Sequence, residues 1–280
     1  AEGDESQLIA ILNSDAELFD KAKACQRLAI IGTSKSVPVV ARLLADPGLS
    51  HYARTALEAN PSLEVDKAFR EALGELKGRQ LVGLINSVAI RKDRQSVDAL
   101  VSLAAGDDNE VAAAAISALG AFTTPESISA IQQVLTGKPS LRVTAADACL
   151  TAADRLLLEG KNAGALVVLA ALRKAELPKH INVASRLGEI RAGSQNVNEL
   201  MNSYLRDKDL DLFRIGLELA HHLTDAKTTG QLVKQLDALP PARQILLMHA
   251  LGDRGDASAL PTVIEAADSG DVNMKIASVR

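Results

Sequence analysis

Apolar residues recur along this chain in stripes of helical spacing. Within Ala22 to Gly32 they fall at Ala22, Cys25, Leu28 and Ala29, and within Ser36 to Leu44 at Val37, Val40, Ala41 and Leu44. Ser50 to Ala59 carries Ala53, Ala56 and Leu57, and the next segment carries Leu81, Leu84, Ile85, Val88 and Ala89. Steps of three and four residues place each set on one face of an α-helix. The period-two alternation of a half-buried strand is nearly absent, so the pattern predicts an all-α chain.

The helices come in pairs. Glu110 to Gly120 followed by Thr124 to Leu135, and Ala242 to Gly252 followed by Asp256 to Ala267, are the clearest copies of one unit. In each, an Ala/Leu helix ends at Leu-Gly, a short turn follows, and a second amphipathic helix returns. Taking the end of each first helix as a marker gives Gly32, Asn60, Arg91, Gly120, Glu159, Arg191, Leu223 and Gly252. The intervals are 28, 31, 29, 39, 32, 32 and 29 residues, which predicts eight antiparallel pairs, the fifth enlarged, and an unfinished ninth at Val272 to Arg280. Such a period is the signature of a solenoid, in which each pair buries its apolar face against its neighbours. Glycine at the marker is expected to take a left-handed backbone and end the helix, and Asn60-Pro61 makes the same stop. Ser34, Ser62, Thr124 and Asp256 stand as N-caps, with Pro125, Pro139, Pro178 and Pro240 near helix starts.

Composition fits a core spread along an axis. Of the 280 residues 47% are hydrophobic but only 2% aromatic, so Ala and Leu fill the interior. The formal charge of −4 and pI near 5.8 argue against nucleic acid or an anionic membrane as a general partner. The longest apolar run, Ala163 to Leu172, is too short to span a bilayer, so no membrane insertion is expected. The polar start Ala-Glu-Gly-Asp-Glu-Ser fits either an arbitrary edge of a longer chain or a mature terminus exposed by signal-peptide removal at a small residue, and the helix at Val272 to Arg280 reads as cut within a longer chain. The domain reading is a single solenoid, 1–280, truncated at its C-terminus.

The Leu-Gly turn, Val37-Pro38 at the start of a second helix, and the turns at Asp46, Asp107 and Asp271 resemble HEAT repeats. Ala24 to Leu28, Leu49 to Arg54 and Lys77 to Ser87 also look like the N-terminal region of exported bacterial HEAT-repeat proteins joined to sugar-active or redox modules. That second resemblance implies a bacterial, exported or periplasmic location, with the cytoplasm as the alternative. It also implies an accessory part in a multidomain enzyme as one functional reading.

Candidate chemistry is sparse. Cys25 and Cys149 lie in apolar stripes four repeats apart, where a linear array does not bring them together, and read as buried free thiols. His221 and His222 point about 100° apart on one helix and cannot chelate one ion; the expectation is His221 at the edge of the core and His222 solvated. HEAT-repeat enzymes that hold iron through His-Glu dipeptides find no such dipeptide here. The HEAT-like base-excision branch needs stacking aromatics and a basic groove; only Arg79, Arg91, Lys92 and Arg94 cluster, and a solvated helix end explains them. Asp107-Asp108-Asn109-Glu110 lacks calcium-loop spacing and reads as a turn and helix cap. No phosphate loop, nucleophile elbow or Cys-x-x-Cys pair occurs, and no cofactor, catalytic residue or metal ligand is assigned.

The candidate interaction surface is the polar face of repeats two and three. His51, Arg54 and Glu58 lie opposite the apolar stripe of their helix, Arg79 and Asn86 share a face of the next first helix, and Arg91 ends it. The plain alternative is that Arg54 and Glu58 form an ordinary i,i+4 ion pair. The second helices Ser36 to Ala45, Val65 to Leu76, Ser96 to Ala105 and Glu126 to Leu135 are expected on the concave side, their exposed residues binding a partner. The function read from the sequence is a non-catalytic scaffold for a protein partner or an adjoining domain. An enzyme accessory role and nucleic-acid binding are the alternatives.

Overall fold

The computed structural model describes residues 2–193, 197–223 and 226–279. Those residues form eighteen α-helices and no strand. Packing divides the chain into two compact units, Ala1–Gly188 and Glu189–Arg280.

In the first unit, α1 (Glu2–Asn13) precedes the pairs α2 (Leu18–Ile31) with α3 (Val37–Arg42), and α4 (Ser50–Ala59) with α5 (Glu64–Glu75). Then come α6 (Gly78–Arg91) with α7 (Val97–Ala105), α8 (Asn109–Leu119) with α9 (Pro125–Gly137), and α10 (Arg142–Leu158) with α11 (Asn162–Leu172). The even-numbered helices α2 to α10 pack each on the next and form one layer. The odd-numbered α1 to α11 do the same and form the second. The seventeen residues of α10 account for the long interval before Glu159. The division between units falls inside α12 (Lys179–Arg191).

The second unit repeats the scheme. In it α13 (Val197–Arg206), α14 (Leu210–His222), α15 (Ala226–Leu236), α16 (Pro241–Arg254), α17 (Leu260–Ser269) and α18 (Val272–Ser278) stack, with α14, α16 and α18 in one layer. The fold is the all-α, solenoid-type stack that the stripes predict, and the striped residues are its core: Cys25, Ala53, Leu84, Ile85 and Cys149 are almost wholly enclosed.

Turn chemistry between pairs follows the acidic caps. Asp46 accepts from the N–H groups of Gly48 and Leu49 at 2.8 and 3.1 Å, and Asp108 from those of Glu110 and Val111 at 3.0 and 3.2 Å. Asp271 accepts from that of Met274 at 2.8 Å. Thr124 and Asp256 cap as expected, while Ser62 reaches only the N–H of Glu64 at 3.2 Å and Ser34 caps no helix, since α3 starts after Ser36.

The marker glycines are there for a different reason than expected. Gly32 is extended (φ −63°, ψ 138°) and Gly120 right-handed (φ −59°, ψ −20°). What they lack is room. A Cβ on Gly32 would lie 2.4 Å from the carbonyl oxygen of Leu28, and one on Gly120 would lie 2.9 Å from that of Ala148 in α10. The left-handed stops sit elsewhere, at Lys92 (φ 57°) after α6, Gly160 (φ 71°) after α10, Gly193 (φ 70°) after α12 and Gly255 (φ 62°) after α16. Gly252, the eighth marker, is therefore interior to α16.

The acidic start of the chain is helical, because carboxylates in a first turn suit the positive end of the helix dipole. Glu5 of α1 is buried against the turn after α2, accepting from the Thr33 N–H at 2.7 Å and its hydroxyl at 2.9 and 3.1 Å. Burial alone would raise its pKa. The hydrogen bonds from Thr33 and Ser36, with Lys35 near, outweigh that and hold it below the usual carboxylate range. A lowered folded-state pKa means that the contact stabilises α1 above the ordinary carboxylate range and is lost as pH falls through the lowered value. Amide protection factors in α1, corrected for the intrinsic exchange rate at each pH, are expected to fall on acidification, and Glu5→Gln is expected to flatten that dependence.

Candidate functional site

Three of the six residues predicted to form a surface do something else: they bind one first helix to the next. The Arg54 guanidinium of α4 donates from Nη1 to the Gly83 carbonyl of α6 at 3.0 Å and lies 3.5 Å from Ser87 Oγ. Ser87 Oγ in turn donates to Glu58 Oε1 at 2.5 Å. Arg54 and Glu58 thus close on Ser87 from two sides, and the expected i,i+4 ion pair is replaced by a contact between helices. Gly83 makes the approach possible, for a Cβ there would sit 2.6 Å from Arg54 Cζ.

Arg91 is the second correction. Its side chain is only 11% exposed. Nε pairs with Asp66 Oδ1 at 2.5 Å, Nη1 donates to the carbonyls of Asn60 at 2.6 Å, Leu57 at 3.3 Å and Glu58 at 3.4 Å, and Nη2 to that of Ser62 at 3.1 Å. A cation on the last carbonyls of α4 meets the negative end of its dipole.

The second unit repeats the device. Arg254, the last residue of α16, donates to the carbonyls of Ala220 and Leu223 at the end of α14 and to Thr229 Oγ1 at 2.9 Å. The separations match those of Arg91: 34 and 31 residues back to the carbonyls, and 25 back to the side-chain partner. Asp93 and Asp256, two residues beyond each arginine, cap the following turn, and the Thr229 hydroxyl helps hold the Asp256 carboxyl below its usual range. In the second layer, Lys138 closes the end of α7, donating to the carbonyls of Ala105 and Gly106 at 2.8 Å.

His51, Arg79 and Asn86 are exposed, and no hydrogen bond links them among the described residues. His51 meets only the edge of the Tyr52 ring, at 5.6 Å between centroids. His221 is exposed, not at the core edge, and the side chain of His222 lies outside the described residues. Among the described residues no three His, Cys, Asp or Glu side chains converge as a metal site, and no helix is long and apolar enough to cross a membrane. Cys25 and Cys149 are free and buried, and burial raises their thiols to about 11 and about 12. Thiol reagents are expected to label neither in the native protein and both after denaturation.

The concavities of the first unit include two between successive second-layer helices. The wider one, about 620 Å³, runs between α3 and α5, with Val37, Pro38, Ala41, Ala68 and Ala72 below and Arg42, Glu64, Lys67, Glu71 and Glu75 around it. A smaller one, about 290 Å³, lies between α7 and α9. In the second unit a concavity of about 340 Å³ borders α15 and α17.

Residues 111–137, which span α8 and α9, match the PBS lyase HEAT-like repeat family. The pair α8 and α9 is thus a HEAT-like repeat, and the other helix pairs of the all-α fold repeat its layout. No curated protein matches it. Among solved structures, the complex of CpcE and CpcF of phycocyanin lyase from Nostoc sp. PCC7120 is similar at 16% identity and a TM-score of 0.43, covering 81% of this chain and 92% of that one. An engineered protein is similar at 18% identity and a TM-score of 0.43, covering 98% and 87%. The activity in the first of these names belongs to that complex.

Proposed function

We propose that this HEAT-repeat scaffold is non-catalytic and binds a protein partner through its second-layer helices. The observation that supports this most is the placing of open, partly apolar grooves between α3 and α5 and between α7 and α9. A stack of helix pairs offers such grooves at regular intervals, and a partner gains affinity by seating a few anchors in them. On the first layer, by contrast, Arg54, Glu58 and Arg91 are consumed by contacts between helices.

A photo-cross-linker placed singly tests the layer used. Positions Lys67 and Gln133 of the second layer are expected to give covalent adducts with one partner, and positions Asn86 and Asp147 of the first layer none. Adducts from the first-layer positions alone, or turnover of a sugar or redox substrate by the chain itself, would reverse the reading.

A further inference from the structure

We infer that the first unit pairs two copies of this chain, by two-fold symmetry, through the rim where first helices turn into second ones. This goes beyond the scaffold reading and uses none of the second-layer grooves. The turns of the rim adjoin one another: Asn60 donates to the Thr33 carbonyl at 2.9 Å, and Arg91 to the carbonyls of Asn60 and Ser62. Three aliphatic side chains stand on three successive turns. Ile30 at the end of α2, Leu63 before α5 and Ile90 at the end of α6 are 75%, 81% and 62% exposed. The fourth turn, Ala121 to Thr124, offers none, since its Phe122 is buried. One exposed aliphatic needs no explanation, but a row on adjoining turns is a patch that water alone covers poorly.

The charges of the rim say what covers it. Asp66 and Asp93 are engaged by Arg91 and Arg70 within the chain. Exposed are Lys35 on the first turn, Glu64 on the second, Lys92 and Arg94 on the third and Glu126 on the fourth. The sign alternates from turn to turn. A two-fold axis between the second and third turns sets Glu64 of one copy against Lys92 and Arg94 of the other, and Lys35 against Glu126. The same axis sets Leu63 against Ile90 and brings Ile30 over Ala121, on the turn that has no aliphatic of its own. Successive turns lie about 10 Å apart. Four of them cover roughly 600 Å² on each copy, about 1,200 Å² in all, which is the lower limit of a specific interface and makes the dimer a weak one. Leu158, at the end of α10, lies one turn beyond the contact. An anionic membrane would meet Glu64 and Glu126 as well as the cations and is disfavoured.

The test is sedimentation equilibrium of the full chain. The weight-average mass is expected to rise from 29.5 kDa towards twice that value across the micromolar range, and Leu63→Asp with Ile90→Asp is expected to hold it at the monomer mass. Glu64→Lys alone, and Lys92→Glu with Arg94→Glu alone, are each expected to weaken pairing about tenfold, because like charges then face each other across the axis. An equimolar mixture of these two proteins is expected to pair again, since one offers only cations at both contacts and the other only carboxylates. Circular dichroism and the urea midpoint check that every variant folds. A chain still monomeric at about 0.5 mM, where a weak dimer is populated, overturns the inference. So does a dimer that survives Leu63→Asp with Ile90→Asp, or a mixture that fails to pair. Co-sedimentation of a monomeric chain with phosphatidylcholine/phosphatidylglycerol vesicles, abolished by the same two aspartates, would assign the rim to a membrane and also overturn it. The scaffold reading stands under each of these outcomes.

Discussion

Replacing Arg91 by alanine is expected to destabilise the first unit by about 3 kcal/mol, because a buried guanidinium bonded to several acceptors is removed and Asp66 is left as an unpaired, largely enclosed charge. The loss is expected as a lower urea midpoint and as faster amide exchange concentrated in α4 and α6. Arg91→Lys is expected to recover only a part, since an ammonium cannot span Asp66 and the Asn60 and Ser62 carbonyls at once. Arg79→Ala, on the same helix but exposed, is expected to change stability by less than about 0.5 kcal/mol. A loss at Arg79 as large as that at Arg91 would mean that the contact along the first layer is not what holds these repeats in register. Arg254→Ala is expected to behave in the second unit as Arg91→Ala does in the first.

The second large effect is a contrast between two glycines in helical surroundings. At Gly120 the new methyl would meet backbone, 2.9 Å from the Ala148 carbonyl oxygen and 3.1 Å from its Cα. Backbone cannot rotate away, so α8 and α10 must separate, and Gly120→Ala is expected to cost about 1–3 kcal/mol. Gly74, inside α5, has nothing within 4 Å of the same methyl. There only the gain in helix propensity remains, and Gly74→Ala is expected to stabilise by about 0.5–1 kcal/mol. Urea unfolding of the two variants reads both signs.

The same contrast explains how much was legible beforehand. Apolar stripes report the face a first helix turns to its own partner helix, and that face fixed the pairs and nearly every marker. The stop after α16 lies beyond the expected one because Leu251-Gly252 repeats the Leu-Gly that ends α8, while α16 runs on to Arg254, the side chain that locks α14. The start of α1 looks like a polar terminus in the sequence because Glu5, buried on Thr33, is indistinguishable there from a solvated acid.

The candidate surface failed in part for a related reason. A helical wheel divides α4 into an inward and an outward face, but a stacked helix has flanks as well, and the flank facing α6 is polar. Arg54, Glu58, Ser87 and Arg91 meet there around a glycine that leaves space for the guanidinium. One signal was available: a basic residue ends three first helices, at Arg91, Arg191 and Arg254, and a cation at that position suits the negative end of the neighbouring helix. The second-layer groove was legible only as a list of exposed positions, because its depth depends on how far α3 and α5 stand apart.

The most direct measurement of the central claim is hydrogen–deuterium exchange of the full chain alone and with its cross-linked partner. Protection on binding is predicted in α3 and α5, extending to α7 and α9, with α4 and α6 unchanged. Protection confined to α4 and α6 would contradict the assignment of the second layer as the docking face.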